Sequence, residues 1–348
     1  MTKRSAIATA LGAALLFGAS TPAAKVLAGE LSPFLLAGLL YAGSGLGLAL
    51  WVVMRLALRH HREARIPRAD WPWLAGAVLA GGVAGPVLLM LGLATLSASS
   101  ASLLLNVEGV FTALIAWFAF GENFDRRIAA GMVFIVAGGA LLAIEPGAPS
   151  IARPGALAVA GACLAWGVDN NLTRRVSAGD PVVIAAVKGT VAGAVNLAMA
   201  FGLGAAWPGI ASSIAAAGIG LAGYGVSLVL FVVALRELGA ARTGAYFSTA
   251  PLAGVALSLV ALGEAPGGLF WTAAALIAAG IWLHVAERHE HEHVHEPLEH
   301  EHRHVHDAHH RHAHADGSDA REPHTHPHRH ERLVHSHPHY PDLHHRHH

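Results

Sequence analysis

Long apolar stretches follow one another along the first 286 residues, and short polar segments separate them. A helix needs about 20 apolar residues to cross the hydrocarbon layer of a membrane. Helices are predicted because lipid offers the backbone no hydrogen-bonding partners, and the sequence lacks the alternating pattern of a membrane barrel. The pattern therefore predicts an all-α integral membrane bundle of ten transmembrane helices. The predicted spans are 5–28, 34–58, 71–93, 97–120, 127–145, 155–174, 181–204, 211–234, 242–262 and 268–286.

The character of the chain changes at Glu287. Three of the 26 histidines precede this residue, and all the others follow it. The segment 287–348 is rich in His, Glu, Arg, Pro and Asp, and it cannot bury enough apolar surface to offset the entropy of ordering. It is predicted to be a disordered His-rich tail. The body before it accounts for a mean hydropathy of +0.47, which is far from that of a soluble protein.

The positions of Lys and Arg predict the orientation, because these residues are retained on the cytoplasmic side of short loops. With ten spans, fourteen of them fall on one side, whereas Lys25 and Arg153 fall on the other. Both termini and the tail are therefore predicted to be cytoplasmic. The fourteen are Lys3, Arg4, Arg55, Arg59, Arg62, Arg65, Arg68, Arg126, Arg127, Arg174, Arg175, Arg236, Arg242 and Arg288.

The body repeats itself. A shift of 142 residues places NVEGVFTALIAWFAFGE (106–122) on STAPLAGVALSLVALGE (248–264) without a gap, and GAALLFG (12–18) matches GACLAWG (161–167) at a slightly different shift. Each half then holds five spans, and an odd number forces the second half to enter the membrane upside down. Inverted repeats of this kind are typical of transporters. The predicted units are 1–148, 149–286 and the tail.

These residues resemble the drug/metabolite transporter superfamily, whose paired five-helix units are called EamA domains. The strongest element is the apolar helix that closes on Gly121-Glu122 in the first half and on Gly263-Glu264 in the second. Family members often carry Pro a dozen residues earlier; Pro251 keeps it, but the first half has Glu108-Gly109 in that region. The resemblance implies a ten-helix secondary carrier of small metabolites, with a central cavity between the two halves.

Glu108 lies near the middle of a predicted span, where an ionisable group costs on the order of 2.5–3.5 kcal/mol. It is interpreted as a proton- or cation-coupling carboxylate or a substrate contact, and the alternative is a structural ion pair with Lys188. Asp169 lies nearer the end of its span and just before two arginines, which favours an interfacial charge. The candidate residues of a transport pathway are Glu108, Asn106, Lys188, Asp169, Asn170 and Tyr246.

The tail is predicted to bind transition metals. Neutral imidazole is a ligand for Zn, Ni or Co, and histidines spaced by one residue let a flexible chain place several nitrogens around one ion. A pH-sensing polyelectrolyte is the alternative. Two matches to H-E-x-x-H in the tail are attributed to composition, because that motif requires a stable helix. The candidate ligands are His289, His291, His293, His295, His300, His302, His304, His306, His309, His310, His312 and His314.

Three functions are compatible with this sequence. The first is a secondary carrier of a small solute, cation-coupled, with the tail as an accessory; the second is efflux or homeostasis of Ni, Co or Zn; the third is a membrane-anchored metal store. No catalytic or nucleic-acid-binding motif is present, so an enzyme is not predicted, and the body requires no cofactor. The predicted location is a bacterial inner membrane, with lipid as a partner and homodimerisation left open.

Overall fold

The structure is a computed structural model. It describes residues 3–58, 66–120, 126–143, 152–176, 180–238 and 246–285 of the body. In the tail it describes the backbone of 290–295, 299–304, 324–329 and 333–338.

The described body is helical throughout. Its helices are α1 (Lys3–Ala28), α2 (Pro33–Ala57), α3 (Trp71–Ala77), α4 (Gly85–Thr95), α5 (Ala98–Leu104), α6 (Val107–Phe120), α7 (Arg126–Ala143), α8 (Ala152–Val176), α9 (Pro181–Gly202), α10 (Ile210–Gly220), α11 (Ser227–Leu238), α12 (Ala250–Ala261) and α13 (Gly268–Val285). A 3₁₀ turn (Arg68–Asp70) precedes α3. Each predicted span contains one helix or one consecutive pair, so the all-helical membrane bundle is confirmed.

Two of these spans contain a π-helical segment at corresponding places. Val78–Ala84 joins α3 to α4, and Leu221–Val226 joins α10 to α11, about 142 residues later. The fourth span of the first half is broken at Leu105-Asn106, and the second half has the corresponding turn at Ser248-Thr249. The irregularities of the helices therefore recur in both halves.

The contacts between helices follow the same relation. α2 packs along α9 and α7 packs along α13, so these counterparts meet each other. α1 packs on α11 and α12, while its counterpart α8 packs on α4 and α6. Exchanging the two halves reproduces these four contacts, and the core lies where the halves meet.

Glycines allow the closest approaches between the halves. A Cβ at Gly193 of α9 would lie 2.7 Å from the Cα of Ala42 in α2. One at Gly167 of α8 would lie 3.0 Å from the Cβ of Phe111 in α6, and one at Gly18 of α1 would overlap the backbone of α12. The aromatic-glycine pairs Phe17-Gly18 and Trp166-Gly167, which end the repeated stretches GAALLFG and GACLAWG, thus lie where α1 and α8 cross the broken fourth spans.

The outer surface is apolar. Many large hydrophobic side chains are exposed on it, among them Leu50, Phe118, Val260 and Trp282, as expected for a surface that faces lipid. Six helical segments among the described residues are long and apolar enough to cross a membrane, and three further apolar helices are shorter. α8, the remaining helix at a predicted span, carries Asp169, Asn170 and Asn171.

Contacts near the ends of the helices agree with the predicted alternation of the spans. Arg55 pairs with Asp180, and the guanidinium of Arg175 lies 5.3 Å from the centre of the Trp73 ring. These residues belong to helix ends that the ten-span prediction places on one side. Lys25, predicted on the other side, donates to the carbonyl of Leu93 at 2.5 Å.

The described tail segments form β1 (Glu290–His295), β2 (Glu299–His304), β3 (His324–Arg329) and β4 (Leu333–Pro338). β1 pairs antiparallel with β4, and β2 pairs antiparallel with β3. Disorder of the tail as a whole stays a prediction, because the rest of it lies outside the described residues.

The glycine crossing of α2 and α9 leads to a stability prediction. Gly193→Ala should lower the free energy of unfolding by about 1–3 kcal/mol, because the added methyl group meets the backbone of α2. Gly218→Ala is the matched control, since no atom lies within 4 Å of the added Cβ and alanine favours the helix by up to about 1 kcal/mol. Thermal unfolding in detergent measures both. If the unfolding temperature of Gly193→Ala is at or above that of Gly218→Ala, the close packing of α9 on α2 at Gly193 is contradicted.

Candidate functional site

The break in the fourth span positions Glu108. Asn106 stabilises the break, because its side-chain Nδ2 donates to the carbonyl of Leu103 at 2.9 Å. α6 begins at Val107, so Glu108 lies in its first turn, where the helix dipole favours a negative charge. The carboxylate is therefore held half-way along the span.

Glu108 contacts α8 through neutral groups. Asn170 Nδ2 donates to Glu108 Oε1 at 2.9 Å and lies 3.2 Å from Thr112 Oγ1. Asn171 donates to the carbonyls of Thr112 and Gly167 and holds the two helices together. Asn170 is exposed and Glu108 is half-buried, so the pair faces open space rather than the packed core.

Lys188 pairs with Asp169. Its Nζ lies 2.5 and 2.8 Å from the two carboxylate oxygens and donates to Thr173 Oγ1 at 3.0 Å. The alternative that Lys188 pairs with Glu108 is therefore wrong. Lys188 on α9 reaches Asp169 of α8, and Glu108 is bound instead by the next residue of α8, Asn170. Asp169 is only 7% exposed and is paired inside the bundle, and its position near the membrane interface stays a prediction.

A buried polar junction lies beside this ion pair, at the first π segment. Tyr41 Oη and Trp166 Nε1 both donate to the carbonyl of Gly81, at 2.8 and 2.9 Å. Asn196 Nδ2 donates to the next carbonyl, that of Gly82, at 2.9 Å. Sequence reasoning did not predict this junction, although a proline inside span 3, Pro86, was an available signal.

Aromatic side chains continue from the junction toward α1 and α12. The ring centre of Tyr41 lies 5.4 Å from that of Tyr224, and Phe17 lies 6.0 Å from Tyr224 and 5.4 Å from Phe247. Tyr246 is half-buried beside them along the chain, and its carbonyl accepts from Thr249 Oγ1 at 2.6 Å. This hydrogen bond connects Tyr246 with Thr249 and not with the Glu108 group.

The Gly-Glu pair of the second half caps a helix of the first. Gly263 has φ +65°, a left-handed conformation suited to glycine, and it turns the chain at the end of α12. Glu264 then accepts from the backbone N–H groups of Ala98 and Ser99, at 2.7 and 2.9 Å. A cavity of about 320 Å³ adjoins this contact, lined by Ser97, Ser99, Ser100 and residues 264–267.

Several candidate residues cannot be placed. Gly121 and Glu122 lie outside the described residues, as do His289, His306, His309, His310, His312 and His314. His291, His293, His295, His300, His302 and His304 lie in the tail strands, of which the structure describes the backbone. Pro251 occupies the first turn of α12. Among described residues, no group of three or more His, Cys, Asp or Glu side chains could hold a metal.

A helical membrane bundle of two related halves, with broken helices and polar side chains where the halves meet, is the architecture of a secondary transporter. The model of the EamA-like transporter family matches residues 4–144 and 153–286. The chain belongs to the EamA-like transporter family.

Similar proteins include transporters. An uncharacterized transporter of Methanothermobacter thermautotrophicus is 29% identical over 72% of this chain and 78% of its own length. A probable terminal-alkyne amino-acid exporter of Streptantibioticus cattleyicolor is 29% identical over 70% of this chain and 84% of its own. A probable 4-amino-4-deoxy-L-arabinose-phosphoundecaprenol flippase subunit ArnE of Pseudomonas paraeruginosa is 40% identical over 31% of this chain and 92% of its own.

A solved crystal structure shares the fold. It has a TM-score of 0.60 to this chain, covers 82% of this chain and 98% of its own, and is 22% identical in sequence. The likeness extends over the helical body.

The ion pair leads to a double-mutant prediction. Lys188→Met should destabilise the protein by about 3–5 kcal/mol, because it leaves the Asp169 carboxylate buried without a counter-charge. Adding Asp169→Asn should recover most of the loss, since the remaining groups are neutral and of similar size. Thermal unfolding in detergent measures the cycle. If the double variant is no more stable than Lys188→Met, the two residues are not energetically coupled.

Proposed function

We propose that this protein is a secondary carrier of a small organic solute and that Glu108 binds the cation that drives or accompanies transport. The observation that carries the proposal is the half-buried Glu108 carboxylate, whose hydrogen-bond donor is the neutral amide of Asn170. Asp169, the neighbouring acid on α8, is already paired with Lys188, so the described contacts give Glu108 no cationic partner. A carboxylate in this position requires a positive charge from outside the protein, either a proton or a cationic group of the solute.

The position of Glu108 supports a role in transport. Discontinuous helices at the interface of two repeats supply the binding sites of many secondary carriers, because their free ends expose backbone groups to a cavity. The break at Leu105-Asn106 precedes Glu108, and the corresponding turn of the second half precedes α12. We therefore place solute and cation between α6 and α8.

The solute is proposed to carry an amino group. The names of two relatives, an amino-acid exporter and a flippase subunit for an aminoarabinose lipid, both refer to amino compounds. A protonated amine complements the Glu108 carboxylate, and the Asn170 and Thr112 oxygens are further acceptors for its N–H groups. The same oxygen-rich set offers no imidazole or thiolate ligand, which favours an organic cation over Ni, Co or Zn in the body.

The placement in the cell is part of the proposal. We infer two inverted units, 1–148 and 149–286, in a bacterial inner membrane with both termini in the cytoplasm, from the Lys and Arg distribution. The tail would then bind Zn, Ni or Co from the cytoplasmic side as an accessory. Metal efflux is the second candidate function, favoured by the spacing of the tail histidines, with the tail delivering the ion.

Glu108→Gln should reduce solute flux at least about tenfold, because the amide neither takes up a proton nor balances an ammonium group. The assay is counterflow of radiolabelled amino acids and amino sugars, tested as a panel, in liposomes containing the purified protein. Glu30→Gln is the matched control, since Glu30 is an exposed acid at the α1–α2 turn. Undiminished flux in Glu108→Gln would contradict the role of Glu108 in the site. If the parent protein transports no member of the panel and no metal, the proposal of a carrier is wrong.

Deletion of 287–348 should abolish binding of Zn, Ni and Co to the purified protein and leave solute flux within about twofold of the parent. The reason is that the histidines lie outside the helical body. Metal content by mass spectrometry and counterflow measure the two effects. If the deletion stops transport of Ni, Co or Zn while solute flux is absent in both proteins, metal efflux replaces the solute carrier as the function.

A further inference from the structure

The two π segments have similar geometry but different causes. In each, a backbone N–H donates to the carbonyl five residues earlier: Gly85 to Ala80 in the first segment and Ser227 to Ala222 in the second. A π turn inserts one additional residue into a helix and is found mainly at functional sites. The question is whether both segments are fixed.

Proline fixes the first segment. In an α-helix the carbonyl of Gly82 would accept from residue 86, and in a π-helix the carbonyl of Gly81 would accept from the same residue. Residue 86 is proline, which has no N–H group. Side chains take its place, since Tyr41 and Trp166 donate to Gly81 and Asn196 donates to Gly82.

The second segment has no such constraint. Residue 228, at the place that corresponds to Pro86, is leucine, so every backbone N–H needed for α-helical bonding is present. Gly223 and Gly225 lie within the segment, and both are buried. The segment can therefore change from a π turn to an α turn by exchanging backbone hydrogen bonds, without leaving a carbonyl unsatisfied.

Tyr41 contacts both segments. Its hydroxyl is bound to the fixed Gly81 carbonyl at 2.8 Å, and its ring packs on Tyr224 of the second segment with centroids 5.4 Å apart. Tyr41 is only 9% exposed, so both of its contacts lie in the interior of the bundle. The position of Tyr224 is thus set by a residue anchored on the other half of the bundle.

We propose that Leu221–Val226 is a conformational switch of the carrier and that Tyr41, anchored on Gly81, is the positioning residue that holds it in the π state. Reversion to an α turn removes the additional residue from that turn of the helix. The loss of one residue rotates α11 relative to α10 by about 100° and shifts it along the axis by about 1.5 Å. α11 packs on α1, where Ser227 Oγ donates to the carbonyl of Ala13 at 2.8 Å. The switch would therefore move α11 of the second half relative to α1 of the first half. This inference rests on the proposed carrier function for its purpose, but not for its test.

The test is hydrogen–deuterium exchange of the full-length protein in lipid nanodiscs, read by mass spectrometry and without any solute. Tyr41→Leu removes both the anchor and the ring contact, and Tyr224→Leu removes the ring contact while Tyr41 stays bound to Gly81. Each should accelerate exchange in 221–226 by about threefold to tenfold, as expected for weakening by one or two modest interactions. Exchange in 78–84 should change less than about twofold in Tyr224→Leu, because Pro86 and the side-chain donors remain.

Two matched variants separate the switch from general loosening. Tyr224→Phe keeps the ring and should exchange like the parent protein, and so should Tyr246→Phe, which alters a tyrosine outside both segments. Equal exchange of 221–226 in the parent, Tyr41→Leu and Tyr224→Leu would overturn the proposal. Acceleration spread evenly over α9 and both π segments would overturn it as well, since that is the result of a merely destabilised bundle. Because no solute is used, failure here is distinguishable from failure of the carrier assay.

Discussion

The backbone hydrogen bonds of this protein have to be satisfied within the bundle, because the surrounding lipid offers no partners. At two places where a backbone group lacks its partner within the helix, a side chain from another part of the bundle supplies the missing donor or acceptor. Tyr41, Trp166 and Asn196 do so at the proline-altered turn of Gly81-Gly82, and Glu264 does so at the first turn of α5. The irregular places in the helices are thus also the places where the helices are connected.

This constraint explains why the Gly-Glu pair is a strong sequence signal. Glycine provides the left-handed turn at the end of α12, and the glutamate that follows binds two N–H groups of a helix from the other half. Two hydrogen bonds to an ionised group contribute more than neutral ones, about 1.5–3 kcal/mol each. Neither residue alone would make the connection, since an alanine at 263 would strain the turn and a different side chain at 264 would remove the acceptor of the Ala98 and Ser99 N–H groups.

Hydropathy predicted the positions of the helices well, because a lipid-facing surface imposes apolar composition on them. It could not predict the break at Leu105-Asn106 or the π segments, since these depend on hydrogen bonds between residues that are distant in the sequence. The predicted pairing of Lys188 with Glu108 was wrong for a related reason. Glu108 and Asp169 are both acids inside spans, and the helix packing decides which one the lysine reaches. Glu108 was found because a charge in an apolar span is conspicuous, whereas Tyr41 resembles any interior aromatic residue.

The two halves share a fold, but the side chains at corresponding positions differ in polarity. The shift that aligns GAALLFG with GACLAWG places Trp166 on Phe17, Asp169 on Ser20 and Asn170 on Thr21. The charged and amide groups therefore lie on the α6 and α8 side, and the corresponding positions on α1 and α12 are aromatic or small. A symmetric pair of carboxylates would repel each other across the interface, and each would need its own counter-ion. In the proposed carrier, one cation would neutralise Glu108, the interior carboxylate without an ion-pair partner among the described residues, and the aromatic side chains of the other half would offer a surface for the apolar part of the solute.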